Sequence, residues 1–340
     1  MLSIRRSHSL ATAGMIVVAA SMVGCREQHA DAAASGVVAV GGEAGDSGWQ
    51  LLWRIGGTES DTLLIQPSRL VRSRNLLMVL DLGRRSVTAL DYRTGALRWI
   101  FGHDGSGPGE LELPQAAASL RDGRTAVFDA GNRRLIVLTD SGRATGTTGL
   151  ATVGQIHSFC EVRDGEFLAL VAAPAEPLVT FDRQGTRLTG ASLPWAGVAA
   201  LDPVAQTVQF TRLPSASGCV MSSQSTPFWS VRTGPQWTEM HRYADSSPAV
   251  PDSAPADLSS GVSMPDDSTV MISVLPPRGE RGAVLRRFSL RGEPRGEWRL
   301  PTPPVNRIVW HEAVGDTVFV LHGINGMPAL SAFVRQRPTH

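Results

Sequence analysis

The sequence contains no lysine: all 32 of its Lys/Arg side chains are arginine, set against 31 Asp and Glu. A Schiff-base lysine, a phosphate-loop lysine and any other lysine chemistry are therefore excluded. The formal balance of +1 leaves no basic surplus of the kind that nucleic-acid binding rests on, so no nucleic-acid partner is expected. Cysteine is scarce, at 3 in 340 residues, which rules out a disulfide-dense scaffold. The 8 His form no HxH or HExxH pair, and CxxC and GxSxG are also absent. No local metal site and no serine-hydrolase elbow can be read, and no cofactor is expected. After residue 48 there is no long amphipathic helical pattern. What is present is a 42% hydrophobic, 19% charged composition, enough for a packed core and incompatible with wholesale disorder.

The chain opens with Arg5 and Arg6 and an apolar run from Leu10 to Val23. That run is short for a bilayer span, which needs roughly 20 residues, and reads as a signal segment. Ser7-His8-Ser9 after the arginines lacks the apolar residues of a twin-arginine signal. The run ends in Met22-Val23-Gly24-Cys25, which resembles the lipobox of bacterial lipoproteins. There, small residues fit the peptidase cleft and the cysteine thiolate takes the lipid. The resemblance implies a signal peptide over 1–24 and a lipidated Cys25 as first residue of the mature chain. It also implies the bilayer as a partner through that acyl group, and an extracytoplasmic, envelope-anchored location. Arg26 stands where an Asp would imply inner-membrane retention, which points to the outer membrane. An ordinary secretory signal with an incidental cysteine is the alternative. Losing residues 1–24 removes Arg5 and Arg6 and no acid, so the mature chain stays near neutral. Residues 26–48 are rich in Ala, Gly and acid, and read as a flexible tether with an r.m.s. reach of roughly 25–30 Å.

From residue 49 the chain repeats. Apolar strands ending in polar turns are expected at Val87–Asp91, Leu135–Asp140, Leu178–Asp182, Met240–Asp245, Leu285–Arg291 and Ala329–Arg335. Each follows another: Leu77–Asp81, Thr125–Asp129, Phe167–Val171, Phe228–Val231, Thr269–Val274 and Thr317–Leu321. Six units of about 45 residues, each with several strands, predict an all-β, six-bladed β-propeller over 49–340. The uneven spacing places an insertion near Trp195–Pro214, and residues 246–257 leave blade four with a looped or missing outer strand.

The second unit carries the most specific motif. It runs Gly102-His103-Asp104-Gly105-Ser106-Gly107-Pro108-Gly109-Glu110, then Pro114, Asp122-Gly123, Asp129, Asn132 and Arg134. This stretch resembles an NHL repeat, and its Gly-rich part is similar to six-bladed NHL-like bacterial lipoproteins. The glycines would supply positive φ in an inter-blade link, Asn132 a tight turn, and Asp129 and Arg134 a pair across it. Leu90–Trp99 instead resembles the tryptophan docking repeat of quinoprotein-type propellers. The eight blades usual there would leave about 36 residues each, short for four strands and a link. Trp53–Gly57 resembles Trp99–His103, which predicts that Gln50–Ile55 closes the ring as the outer strand of the last blade.

Counting eight residues back from the Asp-Gly turns places Gln115 and His157 at one mouth of the channel, with Arg307 counted back similarly from Gly315. His-ligated peptide-amidating lyases and calcium-dependent lactonases share such folds. Gln, His and Arg at the mapped positions fit neither ligand set. Cys160 and Cys219, placed in the inner strands of adjacent blades, are read either as a disulfide or as two buried thiols. Trp195, Trp229, Trp237, Trp298 and Trp310 read as blade packing rather than a sugar platform. The function expected is an envelope-anchored binding or scaffold propeller for a protein, peptide or glycan. The alternatives are a channel-mouth lyase, lactonase or hydrolase, and an assembly factor of an envelope complex. Replacing Cys25 by Ala is expected to release the chain from the membrane fraction or leave it unprocessed; metabolic lipid labelling checks this, and labelling that survives the substitution would refute it.

Overall fold

A computed structural model describes residues 48–173, 175–194, 208–224, 226–243, 259–274, 282–301, 305 and 308–336. The signal, Cys25 and tether readings lie outside the described residues, as do Trp195, 246–257 and Arg307. The described residues contain strands and turns but no helix, arranged as six antiparallel sheets. They make a six-bladed β-propeller.

Counted from the axis outward, blade one is Pro67–Ser73, Leu76–Asp81, Ser86–Asp91 and Leu97–Phe101. Blade two is Pro114–Ser119, Thr125–Asp129, Arg134–Leu138 and Ala144–Gly149. Blade three is Ile156–Arg163, Glu166–Val171, Leu178–Asp182 and Arg187–Ala191. Blade four is Val208–Arg212, Cys219–Ser223, Phe228–Thr233 and two short outer pieces, Gln236–Trp237 and His241–Arg242. Blade five is Ser259–Ser263, Thr269–Val274, Val284–Ser289 and Pro294–Arg299. Blade six is Ile308–Val314, Thr317–Ile324 and Met327–Arg335, with Trp49–Gly56 as its outer strand. A blade is covered on both faces, so its second strand needs no polar alternation. Leu76–Asp81 and Thr125–Asp129 are accordingly buried at every position, whereas the outer strand Ala144–Gly149 is mostly exposed.

Blade four corrects the expected phase. Phe228–Thr233 is its third strand, not its second, and Cys219–Ser223 is the second. Val208–Arg212, inside the stretch read as an insertion, is the inner strand. The outer edge is not missing but broken into two pieces. The reason is burial: the third strand is as apolar as a second strand (Phe228, Trp229 and Val231 are buried), so hydrophobicity alone cannot rank the two.

Neighbouring blades are locked by a repeated indole-on-glycine contact. Trp99, in the outer strand of blade one, lies where a Cβ on Gly142 of blade two would stand, 2.7 Å away, and its Nε1 donates to the Asp140 carbonyl at 2.8 Å. Trp53 does the same to blade one, 2.8 Å from a Cβ on Gly95, with Nε1 donating to the Tyr92 carbonyl at 3.1 Å. Both glycines have positive φ, +81° at Gly142 and +73° at Gly95, so any side chain there would be strained as well as obstructed.

The strand Trp49–Gly56 pairs antiparallel with Met327–Arg335, from Trp49 opposite Arg335 to Gly56 opposite Ala329. A bulge between Leu51 and Trp53 adds one residue and so turns the following side chains to the other face. Trp49 thereby packs on blade five, edge-on to Trp298 at 5.5 Å and donating to the Arg299 carbonyl at 2.8 Å. Trp53 and Ile55 pack on the opposite side with Leu70, Leu77 and Phe319. Each buried indole is worth roughly 4–6 kcal/mol as an upper bound, at about 25 cal/mol per Å². Deleting residues 49–56 is expected to lower the melting temperature of the whole propeller and promote aggregation, while deleting 30–45 leaves it nearly unchanged. Thermal unfolding of the two variants checks this, and equal melting would refute it.

Candidate functional site

The propeller axis has two chemically different ends. At the link face the inner strands begin, and at the hairpin face they turn into the second strands. Five of the six inner strands are bulged at their second residue: Ser68, Gln115, His157, Ser260 and Val309. The bulges set these residues at one level of the link-face mouth. Gln115 and His157 meet there, Nε2 to Nδ1 at 3.3 Å, and Gln155 Nε2 donates to Gln115 Oε1 at 3.4 Å. Burial, and then the nearby Arg69, push the His157 pKa below its ordinary 6.5, so the ring is neutral at neutral pH. Blade six departs from the expectation. Its bulged residue is Val309, two positions after Arg307. The count from the turn differs because blade three has a second bulge at Val162, and because its turn reads Asp164-Gly165 where blade six has Gly315-Asp316.

Arg69, which the spacing argument missed, ties this mouth together. Its Nε donates to the Gln115 carbonyl at 2.9 Å, Nη2 donates to the His157 carbonyl, and the guanidinium lies 4.7 Å over the Trp310 ring. Burial lowers its pKa to about 10, so it remains charged. Three blades are thus bridged to blade one by one side chain.

The Gly-rich link and its partners form a structural clamp. Gly107-Pro108-Gly109-Glu110 is a turn closed by the Glu110 N–H on the Gly107 carbonyl at 3.2 Å, with Gly109 at φ +81°, as Pro-Gly at the centre of a type II turn requires. Gly102 and Gly105 also have positive φ. Asp129 is fully buried; it accepts from the N–H groups of Glu112 and Leu113, just ahead of Pro114, and from Asn132 at 2.7 Å and Arg134 at 3.3 Å. Asn132 and Arg134 also donate to the carbonyls of Gly105, Ser106, Gly107 and Glu110. Asp81 repeats the device in blade one, accepting from Ile65, Gln66 and Arg84.

At the hairpin face a cavity of about 260 Å³ sits on the axis, lined by residues of all six blades. Arg72, Arg121 and Arg212 enter it from blades one, two and four, and Glu312 from blade six. Burial lowers the Arg212 pKa, and Arg121 and Arg72 lower it further while Glu161 opposes them. Burial raises Glu312 to about 8, against the pull of Arg72 and of the Arg72 and Ala313 backbone groups. A disulfide joins Cys160 in the inner strand of blade three to Cys219 in the second strand of blade four, with Cα atoms 6.4 Å apart. Cys219 is thus not on an inner strand as expected, and the bond runs beside the cavity wall. Among the described residues no group of three or more His, Cys, Asp or Glu could hold a metal ion.

No known family pattern and no curated protein matches the sequence. Solved structures share the fold. A protein assigned to export in Bacteroides fragilis NCTC 9343 is 12% identical, with a TM-score of 0.58 over 86% of this chain and 96% of that one. A member of the DUF4221 family from Bacteroides vulgatus ATCC 8482 is 11% identical, with a TM-score of 0.54 over 85% and 99%. A streptogramin B lyase is 14% identical, with a TM-score of 0.50 over 81% and 84%. At these identities the likeness is one of fold.

The titrations have opposite signs. Glu312 holds its proton in the folded state up to about pH 8, against 4.5 ordinarily, so its stabilisation is complete below pH 4.5 and declines as pH rises to about 8. His311 and His322 are lowered by burial to about 4 from 6.5, so their stabilisation is present above pH 6.5 and lost as pH falls towards 4. The melting temperature is therefore expected to fall between pH 6.5 and 8, and Glu312→Gln to abolish that fall while keeping the acid-side loss. An unchanged alkaline slope in the variant would show that another group controls it.

Proposed function

We propose that the chain is an envelope-anchored, extracytoplasmic binding propeller that takes a protein or peptide ligand on its link face. The observation that carries this reading is the distribution of exposed apolar surface. Among the described residues four large hydrophobic side chains are exposed: Ile65, Leu113, Leu188 and Val309. Single exposed hydrophobics are ordinary, but three of these four stand at the starts of the inner strands of adjacent blades one, two and six. Beside Leu113 a cleft of about 290 Å³ opens between blades two and three, with Phe128 and Leu150 among its apolar lining and Arg133 and Gln155 as polar groups. Aliphatic side chains around a cleft suit the side chains of a polypeptide. A glycan platform would present aromatic rings, and Trp49, Trp53, Trp229, Trp298 and Trp310 are buried. The Met22–Cys25 motif and the exported protein of like fold support the location.

A photo-crosslinking residue at position 113 of the full chain, expressed in cells with an envelope, is expected to form an adduct. One at position 188, on the outer strand of blade three, is not. Ala151→Trp, which fills the cleft, should remove the adduct. Equal adducts from 113 and 188, or an adduct unaffected by the filled cleft, would overturn the reading.

A further inference from the structure

We infer that the hairpin-face half of the channel is a second binding site, for a small oxyanion carrying two negative charges. The inference goes beyond the link-face reading and concerns the opposite mouth. Most arginines around the ring have acceptors: Arg134 holds Asp129 and the link carbonyls, Arg124 holds Asp122, and Arg183 holds Asp164 and Glu161. Five arginines line the axial cavity; Arg69 and Arg74 have acceptors, and Arg72, Arg121 and Arg212 are different. The Arg72 and Arg121 guanidinium groups make no hydrogen bond or ion pair with any described residue. Arg212 spends Nη1 on the carbonyls of Leu213 and Pro214, at 3.0 Å each, but its buried Nε has no acceptor. A buried donor without a partner is uncommon in native proteins; Arg287 Nε shares that state, but of these two guanidinium groups only Arg212 lines the cavity. The three cations also repel one another.

The carboxylates nearby do not answer this need. Glu161 already accepts from the N–H of Arg121 at 2.6 Å and of Gly165 at 3.1 Å, and pairs with Arg183 at 3.6 Å; it offsets at most one of the three charges. Burial raises the Glu312 pKa to about 8, although Arg72 draws it and the Arg72 and Ala313 N–H groups donate to it, so it offsets little of that charge near neutral pH. With Arg69, which also lines the cavity and is held only by neutral carbonyls, at least two guanidinium charges remain uncompensated, which calls for a ligand with two or more negative charges. The cavity's size sets its bulk: about 260 Å³ is the volume of roughly nine waters, enough for a phosphoryl group with a short stem or a short dicarboxylate. Arg121 is exposed, so the site opens to the hairpin face. Guanidinium groups converging from different blades are suited to this chemistry, since each offers a planar fork to a carboxylate or phosphate.

The test uses the purified full chain in a non-ionic detergent at low ionic strength, with inorganic phosphate, succinate and the neutral isostere succinamide as probes. Phosphate or succinate is expected to raise the melting temperature saturably, beyond chloride at equal ionic strength; a response to one alone identifies the phosphoryl or the dicarboxylate form. Arg72→Gln should weaken that response about tenfold or more, the loss of a charge-assisted hydrogen bond. It should also raise the melting temperature of the ligand-free chain, because one repelling cation is gone. An arginine with a purely structural role would lower it. Arg121→Gln, at an exposed position, serves as the second variant if the first fails to fold. The site is refuted if neither anion exceeds chloride, if succinamide acts like succinate, or if both variants respond as the parent does.

Discussion

A radial sheet can bury both faces only if it has a neighbour on each side, and that requirement governs this molecule. A row of five blades would leave two apolar faces in water; a ring leaves none. The last pairing therefore carries more than its own hydrogen bonds. It joins Trp49–Gly56 to Met327–Arg335, nearly the full length of the chain apart, and its closure entropy is recovered only when every interface forms. The bulge after Leu51 is what lets one short strand serve two interfaces, sending Trp49 to blade five and Trp53 towards blade one. Without it, the indoles would share a face and one neighbour would lose its anchor.

The same requirement explains why some of the fold can be read from residues and some cannot. Positions that satisfy a backbone demand leave a fixed chemical trace. Asp129 and Asp81 cap the N–H groups ahead of an inner strand, and Gly95 and Gly142 yield space to an indole. These residues recur at similar spacing, which is why the first two units declare themselves. Positions that only need to be apolar leave no rank order. In blade four the third strand is as buried as the second, and the outer edge is reduced to two short pieces, so pattern alone assigned each strand one place too early. Cys219 was misplaced for that reason, although its approach to Cys160 survives: a second strand is still close to the neighbouring blade's inner strand.

The mouths of the channel show the same division. Gln115 and His157 come from equivalent bulges, and equal counting from the turns finds both. Arg307 lies outside the described residues; the bulged residue of blade six is Val309, because a bulge and a reversed turn each shift the count by one. Arg72, Arg121 and Arg212 have no common spacing at all. Arg72 lies within the inner strand of blade one, Arg121 in the hairpin of blade two and Arg212 at the end of the inner strand of blade four, and only the curvature of the ring brings them together. The available hint was two arginines, 69 and 72, inside one inner strand, a costly placement unless acceptors or a ligand await them.

A propeller's inner strands expose their unpaired edges to the axis, so something must satisfy those edges or keep water there. Here the two halves of the channel solve it differently. On the link side Arg69 spends itself on the carbonyls of Gln115 and His157 and stacks on Trp310, so its charge stabilises the ring and is not free for a ligand. On the hairpin side Arg72 and Arg121 have no carbonyl acceptor among the described residues, and Arg212 gives only Nη1 to carbonyls. An arginine whose donors are used by the backbone contributes rigidity, and one whose donors are unused contributes electrostatic potential. The rigid half lies under the apolar rim, where a preformed surface lowers the entropy lost on docking. The less compensated half is the one that Arg72, Arg121 and Arg212 line. One ring thereby presents a firm apolar platform at one end and a positive well at the other, both following from where its arginines find acceptors.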